Sequence, residues 1–410
     1  MSHPPISYST RPTMRVNLDN LRYNYEAIKK RVGNAKIGAS VKADAYGLGA
    51  TQVGRALYGA GCRIFFVATA GEGKILRDSV GPNSAIYVLN GPSPRDKGVL
   101  LGAKLKPVIN SLEQARFWAQ ISNSVNEPPY TAIHIDTGMN RLGFDAEEFK
   151  EFARDKKLWN SLNPEWVMSH LACAPDKDHP LNAQQLAKFK RAAAQLPMTP
   201  LSLANTAGTY LGKPYHFQMV RPGIGLYGGY ATNTPEQEDI RTVVTLLAPI
   251  LQIRNINKGE TIGYNASYVA PRDMQIAIIG AGYADGVPVL ASNKGYATLH
   301  DEAVPIVGRV SMDITMVDIT DVHMEKRVGG VVVFRGDQLE NEASEIGTIN
   351  YEMLTRMGQR LRRDYGKPEK SDASPKPKGH FQSGKPKQQA SVKGGFKKKG
   401  YNKGGGSQHR

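Results

Sequence analysis

The chain has 410 residues, 40% of them apolar, with a formal net charge of +16. That length exceeds one compact core and suits about two domains of ~150 residues each. The charge is uneven: residues 367–410 carry 12 Lys/Arg against two acids, a net +10 that leaves +6 for everything before, so the basic balance excludes a fold-wide nucleic-acid signal and marks an appendage instead. Residues 1–11 read as an N-terminal extension. Over residues 12–235, short β-branched and aliphatic runs recur: MRVNLD, KIGASVKA, RIFFVAT, AIYVLN, KPVIN, TAIHIDT, WVMSHLA, PLSLANT and MVRPGIGLYG. Helix-like segments such as NLRYNYEAIKKRV, TQVGRALYGA, SLEQARFWAQIS and NAQQLAKFKRAAAQL lie between most of them. Strand alternating with helix over this length predicts an α/β fold, a (β/α)8 barrel of the TIM type. From 236 to 366 the strands lose their long helices, which predicts a mostly-β second domain closed by a helix near YEMLTRMGQRLRRDY. Residues 367–410, rich in Gly, Lys, Pro, Ser and Gln, lack the aliphatic content to offset ordering entropy and read as a disordered basic tail.

Cys62 and Cys173 sit in apolar stretches, which points to a reducing compartment and not to a disulfide framework. MSHPPISYSTRPTMRVNLD lacks the apolar centre of a secretory signal, and no run nears the ~20 apolar residues of a membrane span. A cytoplasmic protein without a membrane partner is the expectation.

In a barrel of this kind the chemistry sits where strands end. VKADAYG, HIDTGMNR, SHLACAPD, ANTAG and RPGIG occupy that position. Lys42 follows a strand-like run directly. Burial there would lower its proton affinity from a reference pKa near ~10.4 and leave the neutral amine that Schiff-base chemistry requires. A lysine snorkelling to the barrel mouth is the competing reading. Late in the series, Arg221 is followed by Gly223 and Gly225, whose bare amides can approach an anion closely. Asn205 and Thr206 add small donors near another strand tip, and together these form a phosphate cradle. An early lysine with late phosphate donors is the layout suited to pyridoxal 5'-phosphate.

With those residues in place, VKADAYGLG resembles the pyridoxal-attachment signature of the alanine racemase family, which has a fold-type III barrel. HIDTGMNRLGF, SHLACAPD, ANTAG, MVRPGIGLYG, IGYNASY, GAGYADG and VGRVSMDITMVDIT follow in the family's order, covering roughly residues 12–366. The resemblance implies interconversion of L- and D-alanine, supplying D-alanine for peptidoglycan, by a homodimer whose active site is shared between chains. It implies that Lys42 carries the cofactor and that Tyr264 is the opposing acid/base, reached across the dimer interface. Two such groups suit the reaction, which removes a Cα proton on one face and returns it on the other. By the same resemblance Tyr46, His170, Asn205, Thr206, Arg221, Gly223 and Ile224 contact the cofactor. Arg141 and Met312 bind the substrate carboxylate, and Tyr283 and Asp313 are supporting or entrance residues. Arg221 is expected against the pyridine nitrogen, and no metal is implied.

The chain departs from the family's pattern in three places. His134 stands where several members carry a carbamylated lysine that orients the arginine equivalent to Arg141. Gln359 stands where some members have a phosphate-binding tyrosine, and Ser311 replaces a cysteine. Two other readings of the core remain, another fold-type III enzyme (a decarboxylase, or a racemase for serine or a basic amino acid) and a barrel-only cofactor carrier. IGYNASY and the second domain weigh against them. Nucleic acid as a partner is conceivable only through the tail, with its Phe381, Phe396 and Tyr401.

Overall fold

Lys36 pairs with Met219 and Ile37 with Val220, and that parallel register closes a ring. In the computed structural model, which describes residues 11–231, 239–300, 302–322, 331–334 and 339–366, eight parallel strands complete the expected barrel. They are β2 (Lys36–Ser40), β3 (Ile64–Val67), β4 (Ala85–Val88), β5 (Lys106–Ile109), β6 (Thr131–His134), β7 (Pro164–Met168), β8 (Leu201–Ser202) and β9 (Met219–Val220), with β1 (Thr13–Val16) outside the ring. The extension before residue 11 and the basic tail from 367 lie outside the described residues.

Alternation along each strand explains the barrel's two layers. Phe66, Tyr87, Val108, Ala132, Trp166, Met168 and Met219 form one cluster that fills the ring, while Phe65, Ile86, Ile109, Ile133 and Val167 belong to the larger core that includes the helices. Successive side chains point to opposite faces, so a near-continuous apolar run serves both layers. Gly38 is needed inside: a Cβ there would lie 2.5 Å from the Phe66 ring. The helix Leu18–Val32 shows how the outer layer forms. Asn17 caps it by accepting from the amides of Asp19 and Asn20, worth about 1 kcal/mol, and Leu21, Tyr25, Ile28 and Val32 make one buried face.

The second domain is mostly β. Its strands are β10 (Val244–Ile256), β11 (Thr261–Ile262), β12 (Tyr268–Val269), β13 (Met274–Ile279), β14 (Tyr296–Leu299), β15 (Glu302–Pro305), β16 (Thr315–Asp318), β17 (Val331–Phe334) and β18 (Arg362–Asp364). The sheet runs β15-β14-β17-β10-β1-β18, with β13 joining β10 to β16. Strand β10 serves three partners: Val244–Leu247 pair with β1, Leu246–Pro249 with β17, and from Ile250, across an irregularity at Ile250/Gln252, it pairs with β13.

One expectation is corrected here and another refined. The run MRV, read with the barrel series, instead pairs antiparallel with β10, Thr13 opposite Leu247. The helix expected near YEMLTRMGQRLRRDY is present but short, Asn350–Thr355, and the stretch continues into a strand, Arg362–Asp364, parallel to β1. Both segments find their partners hundreds of residues away, which no local period reveals. Among the described residues no helix is long and apolar enough to cross a membrane, and Cys62 and Cys173 are free thiols.

Candidate active site

Lys42 stands two residues after the end of β2, half-buried at the C-terminal mouth of the barrel. The next four residues all have left-handed backbone: φ is 53° at Ala43, 53° at Asp44, 54° at Ala45 and 57° at Tyr46. Left-handed turns of L-residues cost roughly 1–2 kcal/mol per residue, and such strain persists only where the surroundings impose it. One restraint comes from Glu72, the capping-box residue of the helix Ala70–Val80. Its carboxylate accepts from the amide of Ala43 at 3.0 Å and from that of Ala68 at 2.7 Å. Burial lowers the proton affinity of Lys42, the charge of Arg141 lowers it further, and Glu72 opposes both.

The turn carries Tyr46 into the barrel mouth, stacked on Tyr227 with ring centroids 4.5 Å apart. Its hydroxyl faces Gly223 so closely that a Cβ there would lie 2.1 Å from the phenol oxygen. The Thr206 hydroxyl accepts from the amides of Gly223 at 2.9 Å and Gly225 at 3.4 Å. Its own hydrogen is therefore left to donate elsewhere. Ile224 is buried and opens the short helical turn Ile224–Tyr227. Asn205 accepts the Gly208 amide at 2.9 Å through Oδ1, which turns its Nδ2 toward His170 Nε2 at 3.4 Å.

Arg221 is buried among acceptors. It donates to Ser202 Oγ at 2.5 Å, to the Ser169 carbonyl, and at 3.4 Å to His170 Nδ1 and the Leu203 carbonyl. Both ring nitrogens of His170 thus face donors, which leaves no acceptor for an imidazolium. Burial, then Arg221 and Arg141, hold its pKa well below the usual histidine value.

The HIDTGMNR loop wraps around one carboxylate: Asp136 accepts the amides of Gly138 and Met139 at 2.9 Å and of Asn140 at 3.0 Å. Thr137 Oγ1 meets Ser169 Oγ at 2.8 Å, and Gln185 ties Thr137 to the His170 carbonyl. Arg141 emerges exposed from this loop. The position of His134 is filled by a different arrangement from a carbamate: its Nδ1 lies 2.8 Å from Asn110 Oδ1, and burial pushes its pKa down to about 3.

The structure therefore gathers Lys42, Tyr46, His170, Asn205, Thr206, Arg221, Gly223 and Ile224 around the barrel mouth, under the electrostatic influence of Arg141. Tyr264, Met312 and Tyr283 lie on the β domain, 69%, 53% and 45% exposed. Tyr264 begins a single 3-10 turn, Tyr264–Ala266. The Tyr283 amide donates to the Ser311 carbonyl and that of Ala284 to the Met312 carbonyl, both at 3.0 Å. Arg360 joins the two segments, donating to both oxygens of buried Asp285 and to Asp313 at 2.5 Å. Gln359 is exposed in the turn before β18. A second aromatic beside Tyr46, after Tyr227, is Tyr351, centroids 6.2 Å apart, from the helix Asn350–Thr355. Sequence reasoning missed Glu72, Asn110, Asp136, Gln185, Ser202 and Tyr351. Of these only Asp136, inside a quoted motif, carried a local signal.

The donor set fits pyridoxal phosphate. Positive charge from Arg141 and Arg221 suits an anionic cofactor and a substrate carboxylate, and Gly223, lacking a Cβ, lets the Tyr46 hydroxyl come close to the backbone that would hold a phosphate.

The chain is similar to known proteins over most of its length. Residues 16–231 match the family description "Alanine racemase, N-terminal domain" and residues 243–365 match "Alanine racemase, C-terminal domain". The alanine racemase of Brucella abortus is 40% identical over 367 residues, covering 86% of this chain and 93% of that one. That of Rhodospirillum rubrum is 42% identical over 357 residues, covering 86% and 95%. Among solved structures, alanine racemase from Bartonella henselae with covalently bound pyridoxal phosphate superposes with a TM-score of 0.84 at 35% identity, over 87% of this chain and all of that one. The biosynthetic alanine racemase of Pseudomonas aeruginosa gives 0.81 at 30% identity, over 87% and 100%.

Proposed function

The chain belongs to the alanine racemase family and is a pyridoxal-phosphate-dependent amino-acid racemase, and from that premise we propose a two-base interconversion of L- and D-alanine that supplies D-alanine for peptidoglycan. When bound, pyridoxal phosphate supplies an aldehyde for an amine and a ring that accepts electron density from Cα. The observation that carries the reading is Lys42: a half-buried amine at a strand end, whose setting favours the neutral form. Tyr46, Thr206 and the Gly223-Ile224 turn would hold the phosphate, with Asn205 beside them. His170 would lie beside the ring. Arg221, oriented by Ser202 and the Ser169 carbonyl, would face the ring nitrogen as a donor that keeps its proton.

Lys42 holds and moves the proton on the D face, and Tyr264 does so on the L face. Arg141 and the backbone at Met312 orient the carboxylate, with Tyr283 and Asp313 shaping the entrance. Tyr264 stands 69% exposed on the β domain, free to meet another chain, which supports a homodimer in which the barrel of one chain meets the β domain of another. The test is a chiral assay with alanine and serine alongside the absorbance of the lysine-bound cofactor. Lys42→Ala should lose both, and Tyr264→Phe should keep the absorbance and lose turnover. Retention of that absorbance in Lys42→Ala would overturn the assignment.

A further inference from the structure

The left-handed turn that presents Lys42 is held from outside the barrel by the last strand of the β domain. Arg363 of β18 donates through Nη1 to Asp44 Oδ2 at 2.9 Å and through Nη2 to the Gly47 carbonyl at 3.1 Å. The Tyr365 hydroxyl donates to the Leu48 carbonyl at 2.8 Å. The other oxygen of Asp44 accepts the Ala50 amide at 2.7 Å, at the start of the helix Ala50–Gly59. The packing is close as well as polar. A Cβ on Gly49 would lie 2.1 Å from the Tyr365 hydroxyl, and one on Gly47 2.5 Å from the Leu354 carbonyl.

We propose that Arg363, Asp44 and Tyr365 form a strap that keeps residues 43–46 left-handed, making Arg363 a positioning residue for Lys42 and Tyr46. Four consecutive non-glycine residues at positive φ have no intrinsic reason to stay there. Glu72 restrains the turn from the barrel side, and the strap restrains it from the other. The Arg363–Asp44 side chains are 28% and 51% exposed, and pairs this exposed add little to global stability. Their effect is conformational: a planar fork bridging a side chain and a backbone carbonyl selects one turn geometry. The consequence for the cofactor rests on Lys42 being its anchor. The effect on the turn does not.

Hydrogen exchange of the holoenzyme, read on residues 42–49, tests the strap directly, with the cofactor dissociation constant measured beside it. Arg363→Ala and Asp44→Asn should each speed exchange in that segment by about tenfold, leaving distant segments unchanged. Each should weaken cofactor retention by about tenfold, and the double variant should be no worse than either single one. Arg363→Lys should fall between, because it keeps charge and loses the fork. Arg116→Ala, which breaks the exposed pair with Glu151, should change nothing on this segment. Unchanged exchange at 42–49 in Arg363→Ala overturns the proposal. So does acceleration spread evenly over the chain, which would mean ordinary destabilisation. Should Lys42→Ala bind the cofactor normally, the site reading fails, while exchange still decides the strap.

Discussion

His134 and Asn110 share a buried hydrogen bond of 2.8 Å, from Nδ1 to Oδ1. The direction is fixed because Asn110 Nδ2 already donates to the Leu89 and Val108 carbonyls at 3.0 and 3.1 Å. Oδ1 must accept, so His134 is the donor and, with its pKa held near 3 by burial and by Arg221, is neutral at Nε2. His170, held lower than ordinary histidines by the same causes, behaves alike.

The pH dependence of stability follows from that pair. Each imidazole takes up a proton near pH 6.5 when unfolded and far lower when folded, so stability is full above about 6.5 and declines toward pH 3. Per histidine the slope reaches about 1.4 kcal/mol per pH unit. Denaturant titrations between pH 7 and 4 should show the decline, and His134→Gln should make it shallower. An equal slope in that variant removes His134 as a source.

Gly223→Ala has a local consequence. Its φ of −125° is outside the left-handed region, and the effect expected of an alanine is the collision of its Cβ with the Tyr46 hydroxyl. Overpacking of this kind costs about 1–3 kcal/mol. Cofactor affinity should fall by about tenfold or more, measured by equilibrium dialysis. Wild-type affinity would mean that Tyr46 and Gly223 do not jointly shape the phosphate site.

Mixed dimers test the shared site. Lys42→Ala and Tyr264→Phe homodimers should each be inactive. Combined one to one through dissociation and reassociation, half of the dimers are mixed, and each mixed dimer has one intact pair. Activity should return to about a quarter of wild type. No recovery, with exchange of subunits verified, would place both residues in one chain's site or remove one from it.

Arg221→Glu probes the ring nitrogen. A charged guanidinium there donates without protonating the ring, which restrains electron withdrawal and keeps side reactions rare. The ratio of transamination to racemisation should rise severalfold in the variant, read from keto-acid and D-alanine formed together. A constant ratio would assign Arg221 to binding only.

Much of the site was legible because each piece is local. A lysine at a strand end, two glycines after an arginine and the IGYNASY run are readable within a few residues. Their helpers were not. Glu72, Gln185 and Asn110 are ordinary polar residues on or beside helices and strands, and their roles exist only through partners contributed by other strands and loops. Tyr351 is the clearest case: nothing near it marks it, yet it lies beside Tyr46 across 305 positions of chain.

By itself the sequence determined the barrel, the mostly-β domain and the order of motifs, since alternating burial and strand-tip chemistry repeat at short range. Only the tertiary structure decided that β1 and β18 lie side by side in the far sheet, that Lys42 opens a left-handed turn, and that Tyr264 faces outward. Those facts depend on which distant segments pair, and pairing is settled by register and packing across the whole chain, a quantity no local window contains.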